Sequence, residues 1–218
     1  MIERANLFSI PFSVSNSFGV EYFIAREAEL VKMHAILNGD SSPRMVVLHG
    51  LGGMGKTQLS IAYAKRHKDN YSAIFWLDMS NKDSLKHSFA VVAKQIFKER
   101  LSASQIGNFT TYNNLDNMVD AVKGWLNLSN NTRWLIIYDN YNPNFSGNID
   151  PAAVDIRDYL PASHQGSIII TTRSWRETIG YNIRIGKLEN IRDSLKILCN
   201  ASCREGLIDG KDLLDAVL

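Results

Sequence analysis

Residues 46–64 read VVLHGLGGMGKTQLSIAYA, and Gly50 to Thr57 fits the pattern G-x-x-x-x-G-K-[ST] at every fixed position. Few stretches constrain a fold as tightly. Met45 to His49 is a short apolar run that predicts a buried strand. From Gln58 to Arg66, Leu59, Ala62 and Tyr63 share one helical face. Glycine tolerates the positive φ angles of a turn that wraps an anion. Successive N–H groups then converge on one concavity, and the following helix adds its positive dipole end. The turn therefore binds phosphate oxygens. Lys56 reaches the β- and γ-phosphates, and the Thr57 hydroxyl serves Mg²⁺.

The rest of the chain alternates strands with helices. Strands are expected at 72–78, 133–139, 166–172 and, more weakly, 181–186. A helix is expected over 80–101, with Ser80 as N-cap and Leu85, Phe89, Val92 and Ile96 on its inner face. Another spans 114–128, with Leu115, Met118, Val119, Val122 and Leu126. A short helix at 154–160 ends before Pro161, and 190–218 is expected to be helical; 102–114 and 140–148 are expected loops. Near-continuous apolar strands between helices imply an α/β fold with a mostly parallel sheet.

The formal net charge of +2 gives no electrostatic reason to expect nucleic acid or a membrane surface as partner. The small basic cluster Lys65, Arg66, His67, Lys68 suits a helix C-terminus. No apolar run spans a bilayer and no signal peptide is recognisable, so the expected location is cytoplasmic. Cys199 and Cys203 lie four apart in a helical segment, a spacing that suits reduced thiols rather than zinc.

Two strand ends complete the phosphate loop. In LIIYD, Asp139 closes an apolar strand, where open α/β sheets place their ligands and where an aspartate holds Mg²⁺. In IIITTR, Thr172 and Arg173 close the next, and an arginine there can touch a γ-phosphate. The plainer alternative for Arg173 is a surface arginine flanking a helix.

Together GLGGMGKTQ, LIIYDN and IIITTR resemble the NB-ARC domain of the STAND class of P-loop ATPases. These are switches in plant disease-resistance proteins, apoptosome scaffolds and fungal NLR-like receptors. YFIAREAEL, residues 22–30, is similar to the family's opening motif F-[VI]-G-R-E-x-E-L, and the fungal members are most alike. The resemblance spans about residues 8–218. It implies a P-loop NTPase three-layer sandwich with a five-stranded sheet ordered 2-3-4-1-5. Residues 1–21 would form an extension and 22–218 the nucleotide-binding domain, with 190–218 its helical end. The resemblance further implies that Phe23, Ile24 and Arg26 line an adenine pocket and that Gly52, Gly53, Met54, Gly55, Lys56, Thr57 and Gln58 hold the phosphates. Thr57 and Asp139 would hold Mg²⁺, and Lys56, Asp139 and Arg173 would form the catalytic set for ADP or ATP.

Three departures from the family pattern matter. Ala25 stands where the family has glycine. Asn140 follows Asp139 where many members carry a second acid, and an amide cannot accept a proton from water. The family's following helical and winged-helix domains are not in this sequence. The implied function is an ADP/ATP switch in innate-immune signalling, acting with other domains of a larger receptor and self-associating on activation. A slow ATPase activity would be weakened by Asn140. The alternative is a stand-alone turnover ATPase or a P-loop kinase. No acceptor-directed acid follows the first strand and no arginine-rich lid is visible, which argues against the kinase.

Overall fold

Alternate residues of the strand at Arg44–His49 face opposite cores. Met45 and Val47 join one apolar cluster, and Val46 and Leu48 the other. A strand buried on both faces is the signature of a parallel sheet covered by helices on each side. The computed structural model describes residues 8–11, 23–40, 42–100, 114–143, 154–163, 165–176 and 179–202. Within these, α1 spans Glu27–Leu37, β1 Arg44–His49, α2 Lys56–Arg66, β2 Ala73–Asp78 and α3 Lys82–Arg100. They are followed by α4 at Leu115–Leu126, β3 at Trp134–Tyr141, β4 at Ser167–Thr172, β5 at Tyr181–Arg184 and α5 at Ile191–Ser202.

The five strands lie in the order β2-β3-β4-β1-β5, and every neighbouring pair is parallel. This is the order implied by the family resemblance and the sheet of a P-loop NTPase. One face carries α1 and α2, whose Leu30, Met33, Leu37, Leu59 and Tyr63 are fully or almost fully buried with Leu135, Ile137 and Ile169. The other carries α3 and α4. There Leu85, Phe89, Val122 and Leu126 pack with Phe75, Trp134, Ile136 and Tyr138. Each such buried apolar side chain contributes roughly 1.5–3 kcal/mol relative to exposure, so these two layers hold the sheet. Trp134 anchors the second layer further: its indole N–H donates to Leu126 O at 3.1 Å.

Local boundaries differ from the sequence expectation where side chains compete for backbone groups. Ser80 does not cap α3. Its N–H and hydroxyl both donate to the Asp78 carboxylate, at 3.0 and 3.1 Å. Asn81 takes over, accepting the Ser84 N–H at 2.8 Å. The short helix expected at 154–160 is a 3₁₀ turn, Ile156–Tyr159, capped by Asp155 through the Arg157 N–H at 2.9 Å. Strand β3 continues past Asp139 to Tyr141, with a register shift against β4 after Tyr138. That shift removes part of the loop expected at 140–148; residues 144–148 lie outside the described residues. So do 102–113 and 203–218, including Cys203, whereas Cys199 is buried.

Because β4 lies between β1 and β3, the carboxyl ends of these three strands meet side by side. Ligands of open α/β sheets bind at such a crevice, and the chain's glycine-rich turn emerges there.

Candidate functional site

The turn after β1 is fixed by two different constraints on its glycines. Gly53 and Gly55 adopt φ of +78° and +83°, and an added Cβ would meet nothing within 4 Å. At these two positions the backbone angle, not crowding, demands glycine, and the open space beside them is the concavity that phosphate oxygens would enter. Gly50 is demanded by crowding: a Cβ there would collide with the Ile185 carbonyl. Helix α2 starts at once, with the Leu59 N–H donating to Gly55 O at 2.8 Å.

Lys56 folds over the turn it follows. Its ammonium donates to Gly50 O and Leu51 O, both at 2.8 Å. Burial and the neighbouring Arg173 guanidinium hold this lysine below its usual pKa, while Asp139 pulls it the other way. Arg173 reaches the turn itself, since a Cβ on Gly52 would stand 3.5 Å from its Nη2. Two cations therefore crowd one glycine loop, an arrangement that an anion would relieve.

Asp139 lies beneath them, 3% exposed. Its Oδ1 accepts the Thr57 hydroxyl at 2.9 Å and the Thr171 hydroxyl at 2.6 Å. Burial raises its pKa, and Asp78 on the adjoining strand adds to the rise. The two threonine hydroxyls and the Asn140 N–H oppose it. A carboxylate kept in such a place with a threonine hydroxyl beside it is a hard oxygen donor set of the kind Mg²⁺ takes. Among the described residues no group of three or more His, Cys, Asp or Glu side chains is placed to hold a metal ion. Thr57 and Asp139 thus fit a cation that takes its remaining oxygens from water and phosphate, as Mg²⁺ does.

A cleft of about 590 Å³ opens above this group. Its walls include Gly52, Gly53, Gly55, Lys56, Thr57, Gln58 and Arg173 from the sequence-derived set. Ser80, Asn140, Tyr141, Asn142, Thr171 and Thr172 line it too. Thr171 was missed by the sequence reading, which stopped at Thr172 and Arg173. Strand parity carries the signal: Thr171 follows Ile169 by two residues, and Ile169 belongs to the α1–α2 face from which Asp139 is also reached. Thr172 lines the cleft as well, but its Oγ1 accepts the Ser174 N–H at 3.0 Å. Asn140 sits at φ +66°, with its N–H donating to Thr171 Oγ1 at 3.0 Å.

Five residues of the expected set do not line that cleft, and one of them, Asp139, is buried behind the Thr57 and Thr171 hydroxyls that do. The side chain of Met54 and that of Phe23 pack against the α1–α2 core, and Ile24 is half-buried. Arg26 bridges backbone instead. Its Nη2 donates to Met54 O at 3.0 Å and Gly186 O at 2.7 Å, and its Nη1 to Glu29 at 3.0 Å.

Against known proteins, the family model of the NB-ARC domain matches residues 26–200. A "nucleotide-binding leucine-rich repeat (NLR)-like protein" of the fungus Hyaloscypha variabilis is 25% identical over 214 residues. The alignment takes in 91% of this chain but only 20% of that protein, so the chain spans about a fifth of its relative's length. Among solved structures, Cdc6p of Pyrobaculum aerophilum superposes with a TM-score of 0.51 at 14% identity. It covers 87% of this chain and 54% of its own, a likeness of fold alone. Among the described residues no helix is long and apolar enough to cross a membrane.

Proposed function

The chain belongs to the NB-ARC domain family, and from that premise we propose that it is the adenine-nucleotide switch module of a larger NLR-like receptor. It takes ADP or ATP together with Mg²⁺. The observation that carries this reading is the meeting of Lys56, Arg173 and the Thr57–Asp139 pair at one glycine turn.

Each residue has a separate task. The N–H groups of Gly52 to Gln58 hold phosphate oxygens, and Lys56 neutralises them. Thr57 and Asp139 hold the cation, which when bound draws charge from the phosphates. Thr171 keeps Asp139 in place through its 2.6 Å bond. Arg173, beside Gly52, discriminates ATP from ADP by reaching the γ-phosphate, and a ligand shifts a conformational equilibrium only through such differential contact. Phe23 and Ile24 supply the apolar edge against adenine. The switch reading is favoured over rapid turnover by Asn140, which faces the cleft with an amide that cannot take a proton from water. In the intact receptor the partners are its other domains and further copies of itself, assembled in the cytoplasm during immune signalling.

Titration calorimetry with ADP and ATP, with and without Mg²⁺, tests the reading. Binding is expected in the unaltered protein and lost in a folded Lys56→Ala variant. Unchanged affinity in that variant would overturn the phosphate-loop assignment. For the base, thermal stabilisation by ADP should exceed that by GDP, because guanine leaves backbone groups that pair with the adenine edge unmatched; equal stabilisation would refute adenine recognition.

A further inference from the structure

We propose that Arg26 is a positioning residue that ties the phosphate loop to the segment leading into α5, so that nucleotide at the loop is felt at the start of that helix. The proposal rests on the nucleotide-binding reading above and gives Arg26 a different task from lining an adenine pocket.

The starting observation is strain. Ala25 and Arg26 both adopt left-handed backbone, at φ +68° and +63°. Such angles cost L-residues free energy and persist only where the surroundings over-determine them. What they achieve is to aim Arg26 inward, immediately before α1. Its side chain is only 9% exposed, and both hydrogens of Nη2 are engaged, by Met54 O at 3.0 Å and Gly186 O at 2.7 Å. Nη1 is held by Glu29 at 3.0 Å. A guanidinium so bonded has both Nη2 hydrogens committed to the protein and must release one of these carbonyls before that nitrogen turns to a ligand.

The two carbonyls belong to segments already joined at one other place. The Ile185 N–H donates to His49 O at 2.8 Å, and Gly50 lies directly on the Ile185 carbonyl, where no Cβ fits. The loop is thus fastened to the Ile185–Gly186 dipeptide at its start by backbone contact. Near its end, two residues before Lys56, Arg26 fastens it again. Past Gly186 the chain runs only to Asn190, whose Oδ1 accepts the Arg192 N–H at 2.9 Å at the head of α5. A loop drawn onto phosphate cannot shift without shifting this dipeptide, and packed elements transmit small displacements rather than absorb them. Without Arg26 the His49–Gly50 end keeps its contact with the dipeptide, while the Met54 end, still packed by its side chain on the α1–α2 core, loses its link to Gly186.

Amide hydrogen exchange on the full chain, with and without Mg²⁺ and ADP, tests the tie. In the unaltered protein, nucleotide should slow exchange in 50–57 and also in 186–192. In Arg26→Gln, protection of 50–57 should persist at a somewhat weakened affinity, while protection of 186–192 disappears. Equal remote protection in Arg26→Gln overturns the proposal. So does loop protection without remote protection in the unaltered protein, which leaves nucleotide binding itself intact. If ADP protects nothing, the nucleotide reading fails, and the tie is judged without ligand. Arg26→Gln should then exchange at least about fivefold faster in both 50–57 and 185–190, because a charge-assisted bond closing each is gone; acceleration in one segment alone overturns it. Should Arg26→Gln not fold, exchange of the unaltered protein in rising denaturant decides. Tied segments open in one step with one denaturant slope, and separate slopes overturn the tie.

Discussion

Two glycine substitutions at neighbouring positions with the same backbone conformation should change stability in opposite directions. Ala25 and Arg26 sit at φ +68° and +63°. Left-handed backbone costs an L-residue roughly 1–2 kcal/mol, which glycine does not incur. Glycine in turn costs about 0.5–1 kcal/mol in extra unfolded-state freedom. Ala25→Gly should therefore stabilise by about 0.5–1 kcal/mol. For a domain of this size each 1 kcal/mol moves the melting temperature by roughly 2–4 °C, so the expected rise is about 1–4 °C. Arg26→Gly relieves the same strain but removes the donors to Met54 O, Gly186 O and Glu29. Hydrogen bonds from a charged donor are worth roughly 1.5–3 kcal/mol where they are buried, less at Gly186, which lies at the surface. The net loss should be near 2 kcal/mol, a fall of roughly 4–8 °C. Calorimetric or circular-dichroism melts of both variants without nucleotide give the answer. A lower melting temperature for Ala25→Gly would mean that the alanine methyl contributes more packing than its backbone costs, and would refute the strain argument. Two variants of the same sign would refute the role given to the Arg26 side chain.

Other perturbations probe the site and its support. Burial raises the Asp139 pKa above its unfolded value of 3.8. The group therefore favours folding below about that pH, and this contribution is lost as pH rises through the folded pKa. Asp139→Asn should accordingly be more stable than the unaltered protein at neutral pH and lose the pH dependence just above 3.8, while Mg²⁺-dependent nucleotide affinity falls; a neutral-pH destabilisation of about 2 kcal/mol or more would show that the carboxylate is held favourably. Gly166→Ala drives a Cβ into the fully buried Trp134 ring and should cost about 2–3 kcal/mol, seen as a melt lowered by roughly 4–12 °C; a neutral result would mean the ring has room to move. Thr171→Val keeps the volume but removes the hydroxyl donating to Asp139, so Mg²⁺-dependent ADP binding should weaken by about tenfold, and calorimetry finding no change would exclude Thr171 from the site.

The local half of this protein was legible in its sequence. The spacing from Gly50 to Thr57 set the turn, because glycine's backbone freedom and the following helix start act within eight residues. Asp139 could be placed because an apolar strand announces where it ends. Leu85, Phe89, Val92 and Ile96 were found on one face of α3 because helical periodicity depends on the segment alone. The strand order entered through the family resemblance: five apolar strands carry no mark of which lies beside which. The tertiary structure decided the rest. Ser80 lost the cap of α3 to Asn81, whose Oδ1 accepts the Ser84 N–H while Ser80 is turned back onto the Asp78 carboxylate. Thr171 rather than Thr172 holds Asp139 because β3 and β4 are neighbours on the sheet and only one of the two hydroxyls faces the right side. Arg26 finds carbonyls 28 and 160 residues away. Every residue carries a carbonyl, so an arginine that will bind two of them leaves no pattern along the chain. Only the pairing of β5 with β1, which sets Ile185 and Gly186 beside the phosphate loop, brings those two oxygens within reach of one guanidinium.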